Sequence, residues 1–241
     1  MKKTVLSVVV ALLVMSLGQA QWKKIKGNGK SVTIERSVGD YEQVALAGWF
    51  DVKLVSGEEG ELTIKGEENL IPYIKTEVND GRLVIKQKRG ISLKPSNWSR
   101  RITITVPVEE INGVSLSGSG DIVSETTLKA DYFKTVISGS GDVALEIQAQ
   151  RVKASMSGSG DMELSGKTTD LEISVSGSGD ISAYDLEADF VEAQVYGSAD
   201  IQITANELIK ARVSGSGDIS YKGNPKKIDT KSSGSGDVSS Y

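Results

Sequence analysis

The side chains best able to do chemistry recur in one register. Ser-Gly-Ser-Gly-Asp begins at Ser117, Ser138, Ser157, Ser176, Ser214 and Ser233, and a variant, Tyr-Gly-Ser-Ala-Asp, begins at Tyr196. The aspartates are Asp121, Asp142, Asp161, Asp180, Asp200, Asp218 and Asp237, separated by 18–21 residues. Carboxylates and hydroxyls are hard oxygen ligands, so stacking them makes all seven aspartates candidate calcium ligands. Exported repeat proteins do bind calcium through glycine-aspartate loops, but the nine-residue Gly-Gly-x-Gly-x-Asp order of those loops is missing here. Nor does repulsion demand a metal: carboxylates one strand spacing apart, about 4.8 Å, repel by only about 1 kcal/mol in bulk water. The simpler reading is that each aspartate caps its own turn by accepting nearby backbone amides.

Other chemistry is scarce. The chain has no histidine, which removes the commonest general base and metal ligand, and no cysteine, so neither disulfides nor a thiol nucleophile are available. Solenoid lyases that cleave polysaccharides combine acidic calcium sites with basic residues. The arginines of the repeat region, Arg151 and Arg212, fall beside no Asp motif in sequence. No catalytic residue and no cofactor other than calcium is expected, and the protein reads as non-enzymatic.

The elements that position this column follow from periodicity. One residue before the motif stand Leu116, Ile137, Met156, Val175, Val195, Val213 and Ser232, and five before stand Phe133, Val152, Leu171, Val191, Ile209 and Ile228. After each aspartate comes Ile122, Val143, Met162, Ile181, Ile201, Ile219 or Val238. Period two marks strands with one buried face, and carrying it through the motif points both glycines inward and the serines and aspartates outward. One such unit buries too little to be a core, so the units must stack. The expected fold is all-β, a right-handed parallel β-helix (solenoid) with rungs of about 18–21 residues and a less regular N-terminal β region. The competing arrangement, an antiparallel hairpin per repeat, needs a turn signal in both halves of the unit, and only one half has it. Leu46 to Val52 matches Leu116 to Ile122 position by position, with Phe50 at the second glycine, and reads as a degenerate early rung. Asn79-Asp80-Gly81 reads as a hairpin turn. Trp49, Phe50 and Trp98 are expected to plug the end of the core.

Residues 1–20 have a basic start, an apolar run and a small-residue cleavage site, and read as a signal peptide. Residues 21–40 form an N-terminal segment, 41–116 an irregular β lead-in to the solenoid, and 117–241 the regular repeat solenoid. Without the leader the net charge is −6, which provides no attractive field for nucleic acid or for an anionic membrane. No later segment resembles a membrane helix, so the mature chain is expected to have no membrane-spanning segment. The last rung replaces inward apolar residues by Thr230 and Ser232, and an open rung there invites weak self-association.

The Ser-Gly-Ser-Gly-Asp rungs, the segment Gly217-Asp218-Ile219-Ser220-Tyr221-Lys222-Gly223-Asn224-Pro225 and the earlier Phe50-Asp51-Val52-Lys53-Leu54 resemble the bacterial family named putative auto-transporter adhesin, head GIN domain. The resemblance spans Tyr41 to Val238. It implies an exported β-helical domain typical of Bacteroidetes, in the periplasm, on the outer-membrane surface or outside the cell. It implies no catalytic residues, and an adhesin-like role toward an unidentified surface ligand, a glycan or a protein.

Overall fold

The computed structural model describes residues 23–97, 99 and 101–241; the expected signal peptide and Trp98 lie outside the described residues. The chain forms a β-solenoid of about seven turns. Its strands are β1 (Lys23–Lys26), β2 (Ser31–Ser37), β3 (Gln43–Gly48), β4 (Asp51–Ser56), β5 (Glu61–Glu67), β6 (Ile74–Asn79), β7 (Arg82–Gln87), β8 (Ile91–Lys94) and β9 (Thr103–Val108). They continue with β10 (Gly113–Gly118), β11 (Ile122–Gly139), β12 (Val143–Gly158), β13 (Met162–Gly177), β14 (Ile181–Gly197), β15 (Ile201–Gly215), β16 (Ile219–Lys222), β17 (Lys227–Gly234) and β18 (Val238–Ser240).

Each of β11 to β15 makes most of one rung, and the Ser-Gly-Asp corner joins it to the next. All described pairings among β10 to β18 are parallel, so the hairpin alternative is not what forms. Leu116, Ile137, Met156, Val175, Val195 and Val213 stack in one column. In β12 the inward residues Val143, Leu145, Ile147, Val152, Ala154 and Met156 are all buried. Burial of each larger one stabilises by roughly 1.5–3 kcal/mol, and only the rungs above and below can supply it.

Rung length varies without disturbing the corner, because the extra residues leave the ladder elsewhere. Ser124, Glu125 and Thr126 stand opposite Leu145 alone, which makes the first rung two residues longer than the next. Tyr184, Asp185 and Leu186 have no counterpart in β15, although Leu186 stays buried and pairs with Gly166 of β13, and Asp189 faces both Asn206 and Glu207. Bulges of this kind absorb insertions on the arm beyond the aspartate, so the corner column stays aligned.

The corner glycines need a correction. Of the two, only the second is fully buried, as at Gly141 and Gly160; the first, as at Gly139 and Gly158, is half-buried. What excludes a side chain is the neighbouring rung, not crowding inside the core. A Cβ on Gly158 would collide with the Gly139 carbonyl oxygen and lie 2.9 Å from its carbon, and Gly160 stands likewise over Gly141. The first column also has φ between 131° and 147° from Gly118 to Gly234, a region that L side chains rarely adopt. The second column is less strict, accepting Ala199 and Phe50, both fully buried.

Antiparallel strands close the N-terminal end of the stack. β6 and β7 form the expected hairpin, with Asp80 at φ 50° and Gly81 at φ 71°, as a tight primed turn requires. β2 lies antiparallel to β5, and β5 antiparallel to β9. Phe50 is buried at the corner of the early rung, and Trp49 packs on it with ring centroids 5.0 Å apart. At the other end all eight residues of β17 are exposed, and Ile228, in an inward register, is 53% exposed. Among the described residues one buried hydroxyl, Thr135 Oγ1, has no hydrogen-bond partner; it lies between Val114 and Ala154.

Candidate functional site

At each corner the backbone ladder is interrupted, and the aspartate repairs it. The serine amide donates to the glycine carbonyl one rung back, as Ser159 does to Gly139 at 2.9 Å. The residue after the aspartate donates one rung forward, as Val143 does to the Asp161 carbonyl at 3.0 Å. Between these two reversals the aspartate's own N–H points at the previous rung, where side-chain oxygen stands in for a carbonyl. Asp161 N–H donates to Asp142 Oδ1 at 2.8 Å, Asp180 to Asp161 at 3.0 Å, Asp200 to Asp180 at 2.8 Å and Asp218 to Asp200 at 2.8 Å. Asp237 continues this to Asp218 at 2.8 Å, and Asp142 bonds Asp121 more loosely at 3.3 Å.

The carboxylates thus cap no turn of their own. Each but the last, Asp237, serves the amide of the next rung, 18–21 residues away, so the cap expected from sequence is corrected to an interlayer ladder running in one direction. A carboxylate accepting a backbone N–H makes a stronger bond than a neutral acceptor, which favours aspartate over asparagine here.

The first member of the ladder is one that the spacing of the repeats did not single out. Asp51 occupies the aspartate position of the degenerate rung, and the Asp121 amide bonds to it. The match of Leu46–Val52 to Leu116–Ile122 already contained this signal. Arg101 closes this end, with Nη1 2.8 Å from both Asp51 Oδ1 and Asp121 Oδ2. Burial pushes the Asp51 carboxyl above its ordinary range although Arg101 pulls it down, and Asp121 adds to the rise. The Arg101 guanidinium is in turn held more firmly protonated, chiefly by Asp51.

Beside the ladder runs an open groove of about 550 Å³. One wall is Asp121, Asp142, Asp161, Asp180 and Asp200, and the other is the outward column two residues on, Val123, Ala144, Glu163, Ser182 and Gln202. It spans five rungs in steps of about 4.8 Å. The groove's lining holds six carboxylates and no cation, and of the six only Asp121 is paired, with Arg101 at its end, among the described residues. Among the described residues no three acidic side chains converge as metal ligands would. Neither Arg151 nor Arg212 reaches the groove; Arg212 pairs with Asp229 at 2.7 Å on another face.

Sequence reasoning also passed over Glu67, a buried carboxylate in the N-terminal cap. It accepts the amides of Gly29 and Ser96, the latter at 2.7 Å, and so ties the first strands to the segment after β8.

No curated protein matches the chain. Among solved structures, a putative adhesin from Bacteroides fragilis NCTC 9343 superposes with a TM-score of 0.83 at 26% identity, covering 90% of this chain and 100% of its own. A putative lipid binding protein from Parabacteroides distasonis ATCC 8503 gives 0.75 at 27% identity, with 91% and 100% covered. A putative adhesin from Parabacteroides merdae ATCC 43184 shares the fold, with a TM-score of 0.69 at 23% identity, covering 91% of this chain and 99% of its own. Residues 40–225 match the family described as "Putative auto-transporter adhesin, head GIN domain", and the chain belongs to that family.

Proposed function

We propose that the protein is an exported, non-enzymatic binding module of the cell envelope or surface, which holds an extended ligand, a glycan or a protein segment, along the aspartate groove. The observation that carries this reading is the groove's repetition: five successive rungs present the same carboxylate beside an outward side chain two residues on, apolar at Val123 and Ala144 and polar at Glu163, Ser182 and Gln202. A rigid periodic surface lets a ligand with its own repeat make the same contact several times without ordering the protein first. The family description and the adhesin from Bacteroides fragilis support the binding role. The Parabacteroides distasonis relative, described as lipid binding, adds lipids to the panel to be screened.

The test is a screen of the mature protein against glycan, matrix-protein and lipid arrays, followed by the variant Ala144→Arg, which places a long side chain across the groove. A ligand retained by wild type and weakened at least about tenfold by Ala144→Arg, but not by Ser174→Arg on a different face, is the expected result. Equal binding by both variants would move the site elsewhere. A protein that holds nothing on any array would favour a purely structural envelope role.

A further inference from the structure

The net charge conceals a strong separation along the molecule. Residues 23–108 carry 15 basic and 11 acidic side chains, whereas residues 109–241 carry 11 basic and 21 acidic ones. The N-terminal region includes a pair of stretches with no acid at all: 23–34, with four lysines, and 81–108, with seven basic residues. These stretches are far apart in sequence, yet the fold lays them side by side. β1 pairs in parallel with β8, setting Lys24 against Ser92 and Lys26 against Lys94. Leu93 is buried and Ile25 packs on the core, so the alternation leaves Lys24, Lys26 and Lys94 on the outer face, where all three are exposed. Arg89 is exposed in the adjoining loop, whose Gly90 carbonyl receives the Lys23 amide at 2.9 Å.

These cations have no internal use. Lys24, Lys26, Arg89 and Lys94 enter no ion pair among the described residues. The nearby carboxylates are taken: Glu67 by the amides of Gly29 and Ser96, Glu68 by Lys30 at 3.0 Å, and Glu77 by Lys75 at 2.8 Å and Lys86 at 3.4 Å. The ribbon also lies at one end of the stack. Strand order runs from β18 through the repeats to β7 and β6, and β8 follows β7 after a three-residue loop. From Asp121 to Asp237 are six rung steps, about 29 Å, against a screening length of about 8–10 Å. The farther acidic repeats therefore do not cancel the field of the ribbon.

We propose that the β1–β8 ribbon docks the protein end-on against an anionic lipid bilayer, with the acidic repeats and their groove directed away from it. A flat anionic surface fits because the cations lie on the exposed outer face of a two-stranded ribbon. The charge separation also orients the rod, attracting one end and repelling the other. This inference does not depend on the groove's ligand.

The test is sedimentation of the mature protein with vesicles of phosphatidylcholine, with and without phosphatidylglycerol. Binding to the anionic vesicles alone, lost at high salt, is expected. Each basic residue near such a surface strengthens partitioning about fivefold, so K24S/K26S/K94S should weaken it about a hundredfold. K227S/K231S, at the opposite end, should change it less than about twofold, and Asp161→Asn should leave it unchanged while altering groove binding. Circular dichroism melts confirm that the variants fold. Equal binding to neutral vesicles, or indifference to the triple substitution, would overturn the proposal. Pelleting without vesicles that the triple substitution abolishes would mean that the ribbon contacts another copy, and would overturn it equally.

Discussion

Replacing Asp161 by alanine should be felt one rung away. The substitution removes the acceptor that the Asp180 amide reaches at 3.0 Å, while the Asp161 amide keeps its bond to Asp142. A hydrogen bond to a charged group is worth about 1.5–3 kcal/mol. Both aspartates are exposed, so water can reach the released amide and the loss falls to the low end of that range. Removing one charge from a column spaced at about 4.8 Å returns somewhat less than 1 kcal/mol in salt. The net cost is about 0.5–1 kcal/mol, a fall in Tm of about 1–4 °C for a domain of this size. Amide hydrogen exchange locates the effect: the Asp180 amide should exchange faster in Asp161→Ala, with its neighbours in the same turn little changed. Asp237→Ala is the control, because no described amide donates to that carboxylate. Faster exchange confined to the Asp161 turn, or a cost for Asp237→Ala equal to that for Asp161→Ala, would refute the interlayer ladder.

Further outcomes follow from the packing and from the charge at the early corner. Thr135→Val should stabilise the protein by about 1 kcal/mol in urea unfolding, since it replaces a buried hydroxyl without a partner by a methyl of similar shape; a loss of stability would mean that the hydroxyl is satisfied. Gly158→Ala should cost more than about 3 kcal/mol, combining backbone strain at φ 142° with collision against Gly139. Gly160→Ala, in the column that accepts Ala199, should cost only about 1–3 kcal/mol, and the reverse order in thermal melts would contradict the stated reason for the glycines. Because the folded protein holds the Asp51 proton more tightly than the unfolded chain, the stability this contributes is complete below the ordinary aspartate range near pH 4 and is lost as pH rises through the raised value. Asp51→Asn should flatten the corresponding stretch of the urea-midpoint profile, and parallel profiles would show that Asp51 titrates normally.

Much of this architecture was legible in the chain because the repeat fixes register. Phe133, Val152, Leu171, Val191 and Ile209 are all buried, as their spacing requires. So was the early rung at Leu46–Val52 and the turn at Asp80-Gly81. What stayed hidden depends on contacts between rungs, which periodicity within a rung cannot reveal. The partner of each aspartate amide lies in another repeat, so the carboxylates looked like local caps. The first glycine's role is set by the carbonyl beneath it, not by its place in the alternation. Bulges at Ser124 and Tyr184 were invisible because an unpaired residue looks in sequence like any other strand residue. The β1–β8 ribbon joins segments about seventy residues apart whose charges, summed over the whole chain, vanish into a net negative total.

Ligand binding along the aspartate groove is tested most directly by hydrogen exchange of the protein with the ligand found by array screening. Protection at residues 142–144, 161–163 and 180–182, recurring rung by rung, is the predicted result. Protection confined to the β17 edge or to the face carrying Arg212, with the groove unchanged, would contradict it.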